Sequence, residues 1–289
     1  MKIGGLLLCF AGMACLCAMD AVAKGLGPHL NAFQIGLVRY GGAALWMLLY
    51  IALSGAAWPK RANWRRHLVR AALMVVTACL FFYAVTHLPL AMVTALAMTA
   101  PIYVSLLGIT FLGERPSAGL AIAIGLGIAG SAVIIFGGEL TAGGDLSGWI
   151  AGLLAPITYA AAIVLLKHHS DTEGAEAMTL STAAFAALIL VPVALPGFAL
   201  PPQAAWPLLP LIGFLGAAGF VLLTLGLRTT AASTFAVVDY ASLLWAALLG
   251  YVFFSEVPET RFWIGGALIV CACVVVMRNT RRAATTGSA

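Results

Sequence analysis

Three ionisable side chains lie inside long apolar stretches of this sequence, where a charge is costly and marks a candidate functional residue. They are Asp20, Arg39 and Asp239. Asp239 fits a proton-coupling or substrate-amine site, or a buried carboxylate tied to neighbouring hydroxyls and backbone donors. Asp20 and Arg39 are interpreted as an ion pair, with binding of a substrate carboxylate by Arg39 as the alternative.

Aromatic and polar residues in the same stretches are candidates for lining a pocket. Buried phenol groups need hydrogen-bond partners and can shape a site for amphipathic or aromatic solutes, although each could also serve packing alone. His87 ends its stretch and fits a gating, binding or merely interfacial role. The candidate substrate-binding residues are Tyr83, His87, Met98, Thr99, Tyr103, Tyr159, Asp239, Tyr240 and Trp245.

Two prolines, Pro101 and Pro156, interrupt apolar stretches. Each removes a backbone donor and frees a carbonyl. At membrane depth this is tolerable only beside protein or a water-filled cavity. Both are therefore predicted to face inward as helix-kink or gating points, with kinked packing as the alternative.

The elements that position these residues are predicted to be membrane helices. The chain has 289 residues, of which 63% are hydrophobic and 9% charged, with a mean hydropathy of +1.05. Soluble domains carry about 25% charged residues, and a bilayer-spanning helix needs roughly 20 apolar ones. The sequence therefore predicts an all-α integral membrane protein with ten transmembrane helices. The predicted spans are 3–23, 32–53, 68–86, 90–112, 118–136, 148–167, 177–195, 207–226, 232–254 and 261–277.

The first apolar run also has the form of a signal peptide, with Ala21-Val22-Ala23 as a cleavage-like site. We interpret it as a retained first helix, because its h-region is long and its removal would leave nine spans. Lys and Arg favour cytoplasmic loops. A cytoplasmic N-terminus places twelve basic residues inside and two, Lys24 and Arg261, outside. Both termini are therefore predicted to be cytoplasmic.

The basic cluster Lys60–Arg70 is interpreted as a topology signal beside anionic lipid headgroups, and nucleic-acid binding is not expected. The six cysteines lie in apolar runs and are predicted to be small buried residues, without disulfides or metal. A phosphate-binding loop that would let ATP drive the protein directly is not found, and we expect no cofactor.

A membrane-embedded lipid-modifying enzyme is the competing functional class. Such an enzyme could bind a metal through five residues near the loop between the sixth and seventh spans, although we interpret this loop as solvated. These residues are His168, His169, Asp171, Glu173 and Glu176.

An internal repeat links the two halves of the chain at an offset of 142 residues. Because the repeated unit holds five helices, an odd number, the second copy would enter the membrane inverted, as in many secondary transporters. We predict a first repeat over 1–137 and an inverted second repeat over 138–289. The matched positions are Gly108 with Gly250, Phe111 with Phe253, Glu114 with Glu256 and Pro116 with Pro258.

These residues carry a family resemblance. The stretch Ala91–Ile135, with Leu112-Gly113-Glu114-Arg115, and the stretch Ala232–Met277, with the run Trp245–Tyr251, resemble the EamA family of the drug/metabolite transporter superfamily. Arg39 resembles the second-helix arginine of that family. Ser255 stands where glycine is usual. Bacterial amino acid exporters of the YddG type are the nearest comparison.

The resemblance implies a central cavity among the first, third, fourth, sixth, eighth and ninth helices, and metabolite transport without ATP. We therefore predict a bacterial inner-membrane secondary transporter that exports small metabolites by alternating access, not an enzyme. Neutral amino acids, aromatic or other, are the first candidate substrates; nucleobases, vitamins or other aromatic metabolites are the alternative. Expected partners are the solute and membrane lipids. The stripe Gly119, Ala123, Gly127 and Ser131 is interpreted as scaffold, or as the face of a homodimer.

Overall fold

A computed structural model describes residues 3–88, 93, 96–114, 117–136, 145–255 and 260–286, and these residues form helices and their connections without a strand. Single 3₁₀ turns precede α3 and α8. The motif residue Arg115, the repeat residues Pro116, Glu256 and Pro258 and the predicted 137–138 boundary lie outside the described residues. The helices are α1 Ile3–Leu26, α2 Ala32–Ser54, α3 Trp64–His87, α4 Ala100–Leu112, α5 Ala118–Phe136, α6 Leu146–His169, α7 Ala175–Ala194, α8 Leu208–Thr229, α9 Ala232–Asp239, α10 Ser242–Phe254 and α11 Thr260–Thr286.

The apolar helices identify a multi-pass membrane protein. Within the described ranges, seven helical segments are long and apolar enough to span a bilayer, and α9 with α10 counts as one of them. Three further apolar helices are shorter, namely Ala100–Leu112, Ala118–Val133 and Trp263–Val275. Seven spans are therefore supported where the sequence predicted ten.

The outside of the bundle is apolar, as a lipid-facing surface must be. Leu53 is 80% exposed, Phe111 75% and Phe253 68%. Such large side chains on the surface of a soluble protein would mark sites of association or aggregation. Here they recur on helices all around the bundle and match contact with lipid tails.

Close helix packing forms the interior. Helix α1 lies along α8, and α3 lies along α6. A Cβ atom on Gly12 would stand 2.9 Å from the carbonyl oxygen of Gly219, and one on Gly226 would stand 2.7 Å from that of Gly5. Glycines let backbones approach this closely, which favours association where the hydrophobic effect between helices is weak.

The predicted stripe of small residues on α5 packs against other helices of the same chain. Ala123 is fully buried and Ser131 nearly so. A Cβ atom on Gly127 would collide with the ring of Tyr240, which is itself fully buried. The stripe therefore acts as scaffold, seating α5 against α9 and α11.

Two helices in corresponding places are broken. The ninth predicted span divides into α9 and α10 at Tyr240 and Ala241, where the Ala241 N–H donates to the Val238 carbonyl at 2.9 Å. In the fourth predicted span a turn occupies Met98 and Thr99, and the Thr99 N–H donates to the Leu96 carbonyl at 3.0 Å. The two breaks coincide at the offset of 142 residues noted in the sequence.

The helices that follow these breaks also end alike. Helix α4 ends at Gly113 with φ 66° and ψ 25°, and α10 ends at Ser255 with φ 56° and ψ 28°. Both residues adopt the left-handed conformation, and both N–H groups cap a carbonyl of the preceding turn. Ser255 is the sole non-glycine residue with positive φ in the described ranges.

Ser255→Gly is expected to stabilise the protein. A non-glycine residue in this region is strained by roughly 1–2 kcal/mol, part of which is lost again to the greater unfolded-state freedom of glycine. We expect a gain of about 0.5–1 kcal/mol, measured by thermal unfolding in detergent. The matched variant Gly113→Ser should destabilise by a similar amount, and equal melting temperatures for all three proteins would refute the strain.

Candidate functional site

Asp239 ends α9 at the helix break, within a membrane-spanning segment. The residue is half-buried, and its Oδ1 accepts a hydrogen bond from the Tyr159 hydroxyl at 3.3 Å. Its backbone carbonyl accepts the Ser242 hydroxyl at 2.6 Å. The break therefore presents a carboxylate with spare acceptor capacity at membrane depth, because one long bond leaves most of its lone pairs unused.

Two carboxylates flank Tyr159. The Tyr159 side chain on α6 lies within electrostatic range of Asp239 and of Asp20 on α1. Cys17, one turn before Asp20, lies in range of both acids and directs its Sγ to the Ser242 carbonyl at 3.7 Å. We call Cys17, Asp20, Tyr159 and Asp239 the Asp239 site. It joins α1, α6 and the α9–α10 break.

The predicted aromatic residues divide into two groups beside this site. Tyr103, Tyr159 and Trp245 pack against one apolar cluster that includes Cys17. Met98 packs against a second cluster, which contains Tyr240. Thr99 lies in the turn before α4, where its hydroxyl donates to the Leu96 carbonyl. The structure thus gathers most of the predicted pocket residues around the two helix breaks.

Tyr240 differs from the other tyrosines. Its side chain is fully buried, and its hydroxyl has no hydrogen-bond partner among the described residues. Its ring fills the space beside Gly127, so that it helps to seat α5. The ring therefore has a packing role, and it carries a hydroxyl that is buried and unsatisfied.

Tyr83 and His87 lie apart, at the end of α3. The two rings stack with centroids 4.0 Å apart, and both side chains are exposed. The Tyr83 hydroxyl meets the Ser147 hydroxyl at 3.0 Å, and Ser147 in turn donates to Asp145. This hydrogen bond lowers the pKa of Asp145. These residues lie where the end of α3 meets the start of α6.

The predicted Asp20–Arg39 pair is close in space but not in direct contact. The two groups interact electrostatically, whereas the ion pair closer than 4 Å between described residues joins His67 and Glu173. The Arg39 guanidinium instead lies over the Tyr40 ring, 4.8 Å from its centroid. Its Nε is buried without a hydrogen-bond partner.

The two predicted prolines occupy different settings. Pro101 is buried in the first turn of α4, directly after the break. Proline suits that position, because the first-turn N–H groups have no partner within the helix. Pro156 is buried inside α6, which continues past it. Both thus face the interior, and Pro101 begins a helix where the sequence suggested an interruption.

Glu114 has a structural role that its repeat motif did not reveal. Its carboxylate accepts the backbone N–H groups of Ala232 at 2.6 Å and Ser233 at 2.9 Å, and also the Ser233 hydroxyl. An acidic side chain at a helix N-terminus satisfies orphan donors and complements the helix dipole. Glu114 therefore ties the end of α4 to the start of α9, the two helices that border the breaks.

A second network, unseen in the sequence, links α3, the α6–α7 connection and the end of α8. Glu173 is buried in the α6–α7 connection, contrary to the solvated loop predicted there. It contacts His67 Nε2 at 2.7 Å and accepts the Lys60 N–H at 2.7 Å. Arg228, at the end of α8, donates to the carbonyls of Ser170 at 2.7 Å and Glu173 at 2.5 Å. We call these residues the Glu173 network.

The charge of Glu173 stabilises this network in a pH-dependent way. Burial disfavours its ionised form, but hydrogen bonds from the Asn63 side chain, the Lys60 N–H and His67 outweigh burial and lower its pKa. A carboxyl with a lowered folded-state pKa contributes stability above its ordinary pKa, and loses it as the pH falls through the folded value.

Glu173→Gln is therefore expected to melt a few degrees below wild type at pH 7, since a hydrogen bond is worth about 1 kcal/mol and that shifts Tm by roughly 2–4 °C. The gap should narrow as the pH falls through the lowered folded-state pKa of Glu173. Thermal unfolding in detergent across pH 3–8 measures it, with Glu176→Gln as the control. A gap that is constant with pH would contradict the role of the charge.

Comparison with known proteins identifies relatives along the whole chain. The sequence profile of the EamA-like transporter family matches residues 3–136 and 146–278. The pseudopaline exporter CntI of Pseudomonas aeruginosa is 28% identical over 278 residues, covering 96% of this chain and 97% of its own. A riboflavin transporter of Rhizobium johnstonii is 29% identical, with 97% and 92% covered. An S-adenosylmethionine uptake transporter of Rickettsia felis is 22% identical, with 92% and 90% covered.

A solved crystal structure shares the fold. It superposes with a TM-score of 0.81 at 18% identity, covering 98% of this chain and 99% of the other. The relatives from Pseudomonas, Rhizobium and Rickettsia are named as transporters. The residues that the structure describes also hold no group of three or more potential metal ligands.

Proposed function

This chain belongs to the EamA-like transporter family, and from that premise we propose that it exports a small metabolite across the bacterial inner membrane by alternating access. The observation that carries the proposal is the Asp239 site. The half-buried residue Asp239 accepts a hydrogen bond from Tyr159 at a helix break inside a membrane span. Such ionisable groups mark solute or proton pathways, and broken helices form the binding sites of many secondary transporters.

We further propose that the chain is built of two inverted five-helix repeats, over 1–137 and 138–289, with α4, α5 and α11 also spanning the bilayer. The helix contacts support this arrangement. If each helix of the first half is replaced by its counterpart in the second half (α1 by α6, α2 by α7, α3 by α8) and the reverse, observed contacts map onto other observed contacts. The contact of α1 with α8 becomes that of α6 with α3, and the contact of α2 with α8 becomes that of α7 with α3. The paired breaks and the paired ends at Gly113 and Ser255 point the same way.

The sidedness of the proposal follows from the basic residues. With both termini cytoplasmic, the Glu114 contact and the Glu173 network lie at the cytoplasmic end, where they hold the bundle closed. Opening toward the cytoplasm must then separate α8 from the α6–α7 connection. The contacts that would break are the hydrogen bonds from the Arg228 guanidinium to the backbone carbonyls of Ser170 and Glu173.

The chemistry of the site favours a substrate with a cationic amine and an apolar or aromatic body. Asp239 offers an acceptor for the amine, and Tyr103, Tyr159 and Trp245 offer aromatic surface in one cluster. Neutral amino acids, the aromatic ones first, have this form. Riboflavin or a similar vitamin is the second candidate, because a relative of 29% identity is named a riboflavin transporter.

Transport by proteoliposomes tests the proposal. Purified protein would be reconstituted and the uptake of labelled tryptophan, phenylalanine, the other neutral amino acids and riboflavin compared with that of empty vesicles. We expect saturable flux for an aromatic amino acid. Flux of riboflavin alone would support the second candidate, and flux of neither riboflavin nor any neutral amino acid would exclude both substrate classes.

A further inference from the structure

A small cavity lies among α2, α3, α6, α7 and α8, away from the helix breaks. It holds about 30 Å³, room for one or two water molecules and not for a metabolite. Cys17, Asp20, Tyr159 and Asp239 do not line it. Most of its wall is apolar, but Arg39, Arg70 and Thr179 face it from three different helices. We call it the two-arginine cavity.

Arg70 is buried there without a direct acidic partner. Only 5% of the residue is exposed, although the sequence suggested a headgroup-facing arginine. Its Nε donates to the Thr182 hydroxyl oxygen at 2.9 Å and its Nη2 to the Met178 carbonyl at 2.7 Å. Glu173 acts on it at longer range but is bonded to His67. The direct hydrogen-bond partners of the guanidinium are therefore neutral, and Glu173 acts on its charge only at longer range.

Two further donors on the cavity wall are unused. The buried Nε of Arg39 and the hydroxyl of Thr179 lack a hydrogen-bond partner among the described residues. Thr179 is 6% exposed, so bulk water does not satisfy its hydroxyl. A guanidinium can only donate hydrogen bonds, and a buried charge is costly unless an opposite charge pairs with it. The cavity thus combines unused donors with two guanidinium groups that have carboxylates within electrostatic range but no direct ion pair among the described residues.

We propose that the two-arginine cavity binds a small anion, which accepts hydrogen bonds from Arg39, Arg70 and Thr179. Two sources share this chemistry: a free halide, and a carboxylate group of a small solute. The volume admits either but excludes a larger anion. The site is separate from the Asp239 site and does not depend on the transport proposal. The bound anion would bridge the guanidinium groups of Arg39 on α2 and Arg70 on α3, next to Thr179 on α7.

Anion titration of the purified protein tests this inference. Thermal unfolding in detergent would be followed in a buffer whose only anion is a bulky sulfonate, while sodium chloride or sodium formate is added at constant ionic strength. We expect a saturable rise in melting temperature. Saturation by chloride assigns the site to a halide, saturation by formate alone assigns it to a carboxylate, and no saturable rise with either salt overturns the proposal.

Three variants test whether the rise in melting temperature comes from anion binding in this cavity. Thr179→Val keeps the shape and removes one unused donor, and it should weaken apparent affinity by about tenfold, the equivalent of one hydrogen bond. Arg70→Gln should remove saturation. Arg65→Gln makes the same charge change at an exposed position of the same helix and should titrate like wild type. Wild-type affinity in both Thr179→Val and Arg70→Gln would overturn the proposal, and Thr179→Val alone decides it if Arg70→Gln fails to fold.

Discussion

Asp239→Asn is expected to reduce transport by about 10–100-fold, the loss that follows from removing a hydrogen bond to a charged group, and to abolish any pH dependence. The asparagine keeps the size of the side chain and an acceptor for Tyr159, but it can neither pair with a substrate amine nor exchange a proton. Initial rates in proteoliposomes from pH 5 to 8 would measure both effects.

Two controls distinguish this role from simple damage. Tyr159→Phe removes the 3.3 Å bond to Asp239 and should cost no more than about tenfold, as for a neutral hydrogen bond, while the pH dependence persists. Asp171→Asn changes an exposed carboxylate in the α6–α7 connection and should transport like wild type. If Asp239→Asn retained the wild-type pH profile, Asp239 would have no part in proton coupling.

Glu114→Ala is expected to lower the free energy of unfolding by about 2–4 kcal/mol. The substitution leaves the N–H groups of Ala232 and Ser233 without their acceptor, and each buried donor left unpaired costs roughly 1–3 kcal/mol. It also releases the start of α9 from the end of α4. Transport should fall with stability, because both helices border the breaks.

Unfolding in detergent measures this loss, with Asp171→Ala as a matched change of an exposed acid at the same end of the bundle. Glu114→Gln should be nearly as unstable as Glu114→Ala, because its amide group faces a backbone N–H where the carboxylate had an oxygen. A Glu114→Ala protein as stable as Asp171→Ala would show that this cap contributes little.

The membrane class and the helix positions could be predicted from the sequence, because long apolar runs bounded by turn residues are a local property. The break in the fourth predicted span was partly predictable, since Pro101 follows it directly. The break in the ninth predicted span was not, because Tyr240 and Ala241 are neither proline nor glycine. Tertiary packing of Tyr240 against Gly127 accompanies that break, and no local pattern reveals such a contact.

The polar networks escaped prediction because their members are far apart in the chain. His67 and Glu173 are 106 residues apart, and Glu114 and Ala232 are 118 apart. Glu114 was recognised as part of a repeat, yet its capping role required the fold. Arg70 was read as a headgroup-facing residue because it ends a basic cluster. Its burial depends on α7, which supplies Thr182 and the Met178 carbonyl.

Sided labelling of two cysteines tests the inverted-repeat architecture most directly. In a cysteine-free variant, Ser117→Cys follows the end of α4 and Ser255→Cys follows the end of α10, and both positions are exposed. A membrane-impermeant maleimide applied to intact cells should label Ser255→Cys alone, and Ser117→Cys only after the membrane is opened. Labelling of both positions from the same side would contradict two oppositely oriented halves around the Asp239 site.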